Sequence, residues 1–138
     1  MADVTVIARV SASPTAALLP AETRVLVGRF AELVVRWGLD GAEGDALLGG
    51  GTGSAARMVA GRETGADTLA RARRLVEVDA LALALLGDHG EVSCWLRAPN
   101  AALMHEPPLV RMCDRGDGLW TVAATLREEL QGRGAKRW

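Results

Sequence analysis

Glycine and proline residues divide this 138-residue chain into short stretches, and most of these stretches carry apolar residues at helical spacing. Between Glu22 and Trp37, for example, apolar side chains recur every three to five positions, as they do on one face of a helix. Gly49, Gly50 and Gly51 then stand together, and no regular helix continues through three glycines. The pattern predicts helices over residues 22–37, 42–48, 53–62, 69–86, 91–97, 107–113 and 117–130. We therefore expect an all-α fold.

The predicted helices fall into two groups. Residues 22–64 form a helix-turn-helix-like half, and residues 65–132 form a small C-terminal helical domain. We expect the two to pack together through the long helix at 69–86, which they share. Residues 1–21 contain one weakly alternating stretch and two prolines, which predicts either a flexible segment or an arm that pairs with a second subunit. Residues 133–138 form a basic tail.

The charges of the chain almost cancel, with 16 Lys and Arg against 17 Asp and Glu and a net charge of −1. This balance excludes a protein whose whole surface coats nucleic acid, but it allows a local basic patch. The longest apolar runs, such as residues 81–86, are too short to span a bilayer, and the first residues lack the pattern of a signal peptide. We therefore expect a cytoplasmic protein that does not bind membranes.

The residues that usually carry catalysis or hold metals are few and scattered. Cys94, Cys113, His89 and His105 do not have the spacing of metal ligands, and neither Cys/His pair has an obvious third partner. The glycine-rich stretch at 50–53 lacks the lysine that follows in a phosphate-binding loop. The sequence therefore predicts no enzymatic activity, no metal and no cofactor. We expect both cysteines to be reduced and partly buried.

The N-terminal half has the spacing of a DNA-binding helix-turn-helix, with the helix at 53–62 as the recognition element. Ser54, Arg57 and Arg62 on this helix are the candidate DNA contacts, because such side chains reach phosphates or guanine edges. The window 51–75 holds five arginines against two acidic residues, in a chain that is otherwise neutral. The alternative is a small helical platform for dimerisation, since three-helix cores with short turns are common without DNA.

The most distinctive stretch is a helix end followed by a fixed turn, Trp95-Leu96-Arg97-Ala98-Pro99-Asn100-Ala101-Ala102-Leu103. Pro99 stops the helix, and Asn100 is able to bond nearby backbone groups. By itself such a stretch is also typical of a corner of a hydrophobic core. Further matching residues surround it: Leu85-Leu86-Gly87-Asp88 before it, and Pro107-Pro108-Leu109, Gly118, Val122 and Leu126 after it. Together they resemble the C-terminal domain of the MbcA/ParS/Xre antitoxin family, over roughly residues 69–132.

A weaker similarity to the N-terminal helix-turn-helix half of that family runs through Trp37-Gly38-Leu39, Ala46-Leu47-Leu48-Gly49 and Arg62. The chain differs from the family pattern at Met104-His105-Glu106-Pro107-Pro108, where members have a glycine-rich approach to Thr-Pro. The resemblance implies a type II antitoxin that covers the active-site cleft of a RES-domain toxin, an enzyme that consumes NAD or transfers ADP-ribose. It also implies that the complex represses its own operon through the N-terminal half.

On this interpretation the corner and the residues after it contact the toxin. The candidate contacts are Arg97, Asn100, Leu103, Met104 and His105. Alternatives are a DNA-binding regulator that acts alone and an orphan helical scaffold. We expect a homodimer in the first two cases, because helix-turn-helix proteins usually bind operators with two-fold symmetry.

The basic tail has two interpretations. It is either a disordered, solvated end or an arm whose Arg133 and Arg137 reach the site where a toxin binds the NAD pyrophosphate. A tryptophan at position 138 is also a residue type that anchors interfaces.

Overall fold

The structure, a computed structural model, describes residues 19–62, 64–114 and 116–136, with side chains described as far as Gly132. These residues form seven α-helices, one 3₁₀ turn and no strand, which confirms the all-α prediction. The helices are α1 (Ala21–Arg36), α2 (Gly41–Leu48), α3 (Ser54–Val59), α4 (Ala66–Leu86), α5 (His89–Arg97), α6 (Pro108–Met112) and α7 (Gly118–Lys136). The 3₁₀ turn, Ala101–Leu103, lies between α5 and α6.

Most helix ends have a local cause. The Asp40 carboxylate accepts from the backbone N–H of Glu43, whose side chain accepts in return from Asp40 N, and this capping box begins α2. Asp88 caps α5 in the same way by accepting from Glu91 N. Gly49 ends α2 in the left-handed conformation, with φ of 68°.

Three boundaries differ from the prediction by three residues or more. Helix α3 ends at Val59 rather than at residue 62, because Gly61 has a φ of 72° and turns the chain out of the helix. Helix α4 begins at Ala66, three residues before the predicted start. Helix α7 continues to Lys136 instead of ending near residue 130.

Part of the sequence interpretation lies outside the described residues. The weakly alternating stretch at 4–10 and nearly all of the expected arm at 1–21 belong to residues 1–18. Arg137 and Trp138 also lie outside them, and of Arg133 only the helical backbone is described.

The chain divides into two compact units, Met1–Val76 (the N-terminal unit) and Glu77–Trp138 (the C-terminal unit). The division falls inside α4, whereas the sequence placed it at residues 64 and 65. In the N-terminal unit the fully buried side chains of large volume are Phe30, Leu33, Leu47, Leu48, Met58 and Leu75. In the C-terminal unit they are Val78, Val92, Leu96, Met112, Leu119 and Leu126. Each unit therefore has an apolar interior of its own.

Candidate functional site

The distinctive corner lies where α5 ends. Helix α5 stops at Arg97, and Ala98 is extended with φ of −97° and ψ of 143°. This is the conformation that a following proline, here Pro99, imposes on the residue before it. The corner predicted from the sequence is therefore present, and it leads the chain from α5 into the 3₁₀ turn.

Asn100 and the next six residues, which we call the 100–106 loop, form a closed shape that Asn100 holds together. Its side-chain Oδ1 accepts from the backbone N–H of Ala102 at 2.9 Å, and so caps the 3₁₀ turn. Its backbone carbonyl accepts from Leu103 N at 3.0 Å and from His105 N at 2.8 Å. Its own N–H donates to the carbonyl of Glu106 at 3.2 Å, so the two ends of the loop are joined as an isolated antiparallel bridge. The loop is fixed by its own backbone.

Met104 and His105 occupy strained positions at the tip of this loop. They are the two non-glycine residues with positive φ among the described residues, at 57° and 65°. Such a conformation costs an L-amino acid about 1–2 kcal/mol per residue. Met104 is also 83% exposed, the most exposed of the large apolar side chains in the described part of the chain. Strain and an exposed thioether at one position point to a functional role for the loop tip.

Leu103 and Glu106 attach the loop to its unit. The Leu103 side chain is 4% exposed and belongs to the apolar interior. Glu106 forms an ion pair with Arg111 of α6, with 3.5 Å between Oε1 and Nη1. Met104 therefore lies between two attached residues: Leu103, which is buried, and Glu106, which is paired with Arg111 of α6.

The structure separates the predicted toxin contacts into three groups. Arg97, Met104 and His105 are exposed, and Asn100 is half-buried and shapes the loop. Leu103 is buried, so the structure corrects its role from a contact to an anchor of the loop. The side chains of Arg133 and Arg137 are outside the described residues.

In the N-terminal unit, Asp45 organises the turn between α2 and α3. Its carboxylate accepts from Gly53 N at 2.8 Å and Ala55 N at 2.9 Å, and the Ser54 hydroxyl lies 3.4 Å away. A side chain of α2 therefore supplies the cap that α3 lacks locally, since Gly53 precedes that helix. The sequence reading missed Asp45 because it precedes the helix it caps by nine residues, outside any local capping pattern.

This turn changes the interpretation of the predicted DNA contacts. Ser54 is 5% exposed, so the structure places it in the interior rather than on a DNA-facing surface. Arg57 and Arg62 are both exposed, and the Arg57 Nη1 donates to the Thr52 carbonyl at 3.1 Å. Helix α3 has only six residues, four of them buried, so it offers little surface for reading bases. The two arginines suit phosphate contacts better than base recognition.

One arginine of the basic window has a structural role instead. Arg71 is 8% exposed, and its Nε donates to the carbonyl of Leu47 at 2.7 Å. It thereby satisfies a carbonyl at the C-terminal end of α2, where helix carbonyls lack partners in their own helix. The positive charge at the surface of this unit is therefore smaller than the arginine count of residues 51–75 suggested.

Several exposed groups were not expected from the sequence. Val110 on α6 and Trp120 on α7 are 54% and 39% exposed, and Val25 and Val35 on α1 are 56% and 45% exposed. Cys94 is exposed rather than partly buried, whereas Cys113 is half-buried. Periodicity did not identify the exposed apolar residues, because they occur in helices that also carry buried apolar residues.

Neither metal chemistry nor membrane insertion is indicated by the described residues. Among them no three His, Cys, Asp or Glu side chains are grouped so that they could hold a metal ion. No helix in the same part of the chain combines the length and the apolar character needed to cross a membrane.

Comparison with known proteins adds no family to this picture. No protein-family model matches the chain, and no curated protein matches it significantly.

Proposed function

We propose that this chain is a type II antitoxin, an interaction protein whose 100–106 loop enters and blocks the active-site cleft of a RES-domain, NAD-consuming toxin. The observation that carries the proposal is the side chain of Met104, 83% exposed on a backbone-closed loop with two consecutive residues at positive φ. We take the class of partner, a RES-domain toxin, from the resemblance of residues 95–103 to the antitoxin motif. The proposed mechanism is steric occlusion, so the chain itself needs no catalytic residue, metal or cofactor.

The physical basis is preorganisation of the loop. Burying a methionine side chain in an apolar pocket contributes about 1.5–3 kcal/mol, and its flexible thioether adapts to an irregular cavity. A loop that is already closed by its own hydrogen bonds loses little further backbone entropy on binding. His105, exposed next to Met104, adds a polar group at the rim of the same contact.

Met104→Asp is expected to weaken inhibition of the toxin by at least about 100-fold, because it places a carboxylate in the apolar pocket. The measurement is titration of the NAD-consuming activity of the toxin encoded beside this chain with purified wild-type and variant protein. Stability should not fall, since the side chain is mostly in water and aspartate tolerates the positive φ of this position at least as well as methionine does.

Val110→Asp is the matched control, because it makes the same change from apolar to acidic on an exposed residue of α6 outside the loop. It should inhibit within about threefold of the wild type. Equal inhibition by Met104→Asp and the wild type would contradict the loop as the inhibitory element. A wild-type chain that neither binds nor inhibits the toxin would overturn the proposed function as a whole.

The second function, repression of its own operon or DNA binding as a stand-alone regulator, is favoured by one observation. Arg57 lies in α3, Arg62 lies three residues after the end of this helix, and both side chains are exposed. Each arginine that contacts a phosphate releases counterions and steepens the salt dependence of binding. With Ser54 buried, we propose contacts to the phosphate backbone rather than to base edges.

Arg57→Ala and Arg62→Ala should each weaken binding to the promoter DNA upstream of the gene. The slope of log K against log salt should fall by about 1 for each arginine removed. Fluorescence anisotropy at four or five salt concentrations measures both quantities. Arg29→Ala, which removes an exposed arginine from α1, serves as the control and should leave the slope unchanged. If both Arg57→Ala and Arg62→Ala leave the slope unchanged, this surface is excluded as the DNA contact.

A further inference from the structure

One exposed face of α1 is self-complementary about its own midpoint. Ala21, Val25, Gly28, Glu32 and Val35 follow one another at alternating spacings of four and three, which places them on one side of the helix. Four of these five are exposed, and Val25 and Val35 are 56% and 45% exposed. A Cβ built on the fifth, the half-buried Gly28, would meet no atom within 4 Å. Space is therefore open beside the helix at Gly28, and the helix is thinnest at this residue because glycine has no side chain.

Two opposite charges on or beside this face lie at equal distances from Gly28. Arg24 lies four residues before Gly28 and Glu32 four residues after it, and both are exposed. When two copies of α1 cross antiparallel at Gly28, a residue that precedes Gly28 by some number of positions faces the one that follows it by the same number. Arg24 of each copy then faces Glu32 of the other, and two-fold symmetry forms this pair twice.

The apolar residues follow the same rule. Ala21 lies seven residues before Gly28 and Val35 seven residues after it, so Val35 of each copy meets the small apolar side chain of Ala21 of the other. At the crossing point, two glycines allow the helix backbones to approach closely. A parallel arrangement would instead bring Arg24 against Arg24 and Glu32 against Glu32, which is unfavourable.

We propose that this face of α1 binds a second copy of the same chain, as an antiparallel, two-fold symmetric helix pair centred on Gly28. The occupant is a second copy because Arg24 and Glu32 lie at equal distances on either side of Gly28. Binding to an unrelated partner would not require this symmetry. The helix is about 24 Å long at 1.5 Å per residue. One such helix pair buries less than the roughly 1,200 Å² of a standard interface, so we expect a weak dimer that forms only as the protein concentration rises.

Charge reversal tests this pairing without disturbing the fold. Arg24→Glu and Glu32→Arg each turn two attractive pairs into two repulsive ones, and should raise the dimer dissociation constant at least about tenfold. The double variant restores both pairs with their signs exchanged, and should return within about threefold of the wild type. Sedimentation velocity over a range of protein concentrations at low salt measures all four proteins.

The single variants should keep their fold, because glutamate near the start of α1 and arginine near its end both suit the helix dipole. Arg29→Glu is the matched control: it makes the same charge change as Arg24→Glu, but it lies about 100° around the helix from Gly28. It should dimerise like the wild type. A wild-type chain that stays monomeric, single reversals that leave dissociation unchanged, or a double variant that stays weakened would each overturn the proposal.

Discussion

Gly118→Ala is expected to destabilise the C-terminal unit by about 3 kcal/mol or more. Gly118 is buried at the first position of α7, and a Cβ at this residue would overlap the backbone carbonyl oxygen of Arg111. The same Cβ would lie 3.2 Å from that of Asp114. Because the obstacle is backbone rather than the end of a flexible side chain, α6 and α7 must move apart to admit the methyl group.

The movement is costly because both helices are anchored in the apolar interior. Met112 in α6 and Leu119, the residue after Gly118, are fully buried. Separating the two helices would loosen the packing around these side chains and add a cavity penalty to the steric one. Urea denaturation followed by circular dichroism measures the change, with the midpoint expected to fall while the slope stays constant.

Gly132→Ala is the matched control in the same helix. A Cβ at Gly132 meets nothing within 4 Å, and the residue is exposed. Since alanine is a better helix former than glycine, this variant should be more stable than the wild type by up to about 1 kcal/mol. A Gly118→Ala protein as stable as the wild type would contradict a close approach of α6 and α7 at this residue.

The all-helical fold was predictable because its signals are local. Apolar spacing, the glycine triplet at 49–51 and the proline at 99 act within a few residues of the structure that they determine. The sequence predicts that the last helix ends near residue 130, before Gly132, but α7 continues past this glycine to Lys136. A glycine in a helix costs only about 1 kcal/mol, so it lowers the stability of a helix without necessarily ending it.

The candidate sites were predictable only in part, because burial depends on contacts between distant residues. The motif at 95–103 located the corner, but sequence reading did not distinguish buried Leu103 from exposed Met104. The sequence predicts Ser54 as a DNA contact because it lies on the expected recognition helix, whereas the structure places Asp45 of another helix against its hydroxyl. The positive φ at Met104 and His105 is likewise imposed by the closure of the loop between Asn100 and Glu106, not by their own preferences.

Asp45→Ala is expected to destabilise the N-terminal unit by about 2–3 kcal/mol. The substitution removes the acceptor for the backbone N–H groups of Gly53 and Ala55, and for the nearby Ser54 hydroxyl. Loss of a helix cap costs about 0.5–2 kcal/mol, and buried donors left without a partner add to this cost. Helix α3 is especially sensitive because its six residues form fewer than two turns and it has no cap from its own segment.

Asp45→Asn separates the hydrogen bonds from the shape of the side chain. The amide has one oxygen able to accept, but its NH₂ group faces a backbone donor where the second carboxylate oxygen stood, so about half of the loss should remain. Thermal and urea unfolding of both variants measure the difference. Because α3 carries Arg57 beside the turn, a loosened α3 should also weaken the proposed DNA binding by Asp45→Ala. The 100–106 loop lies in the other unit, so the proposed inhibition of the toxin should not change. Equal stability of Asp45→Ala and the wild type would mean that water replaces the carboxylate at this turn without cost.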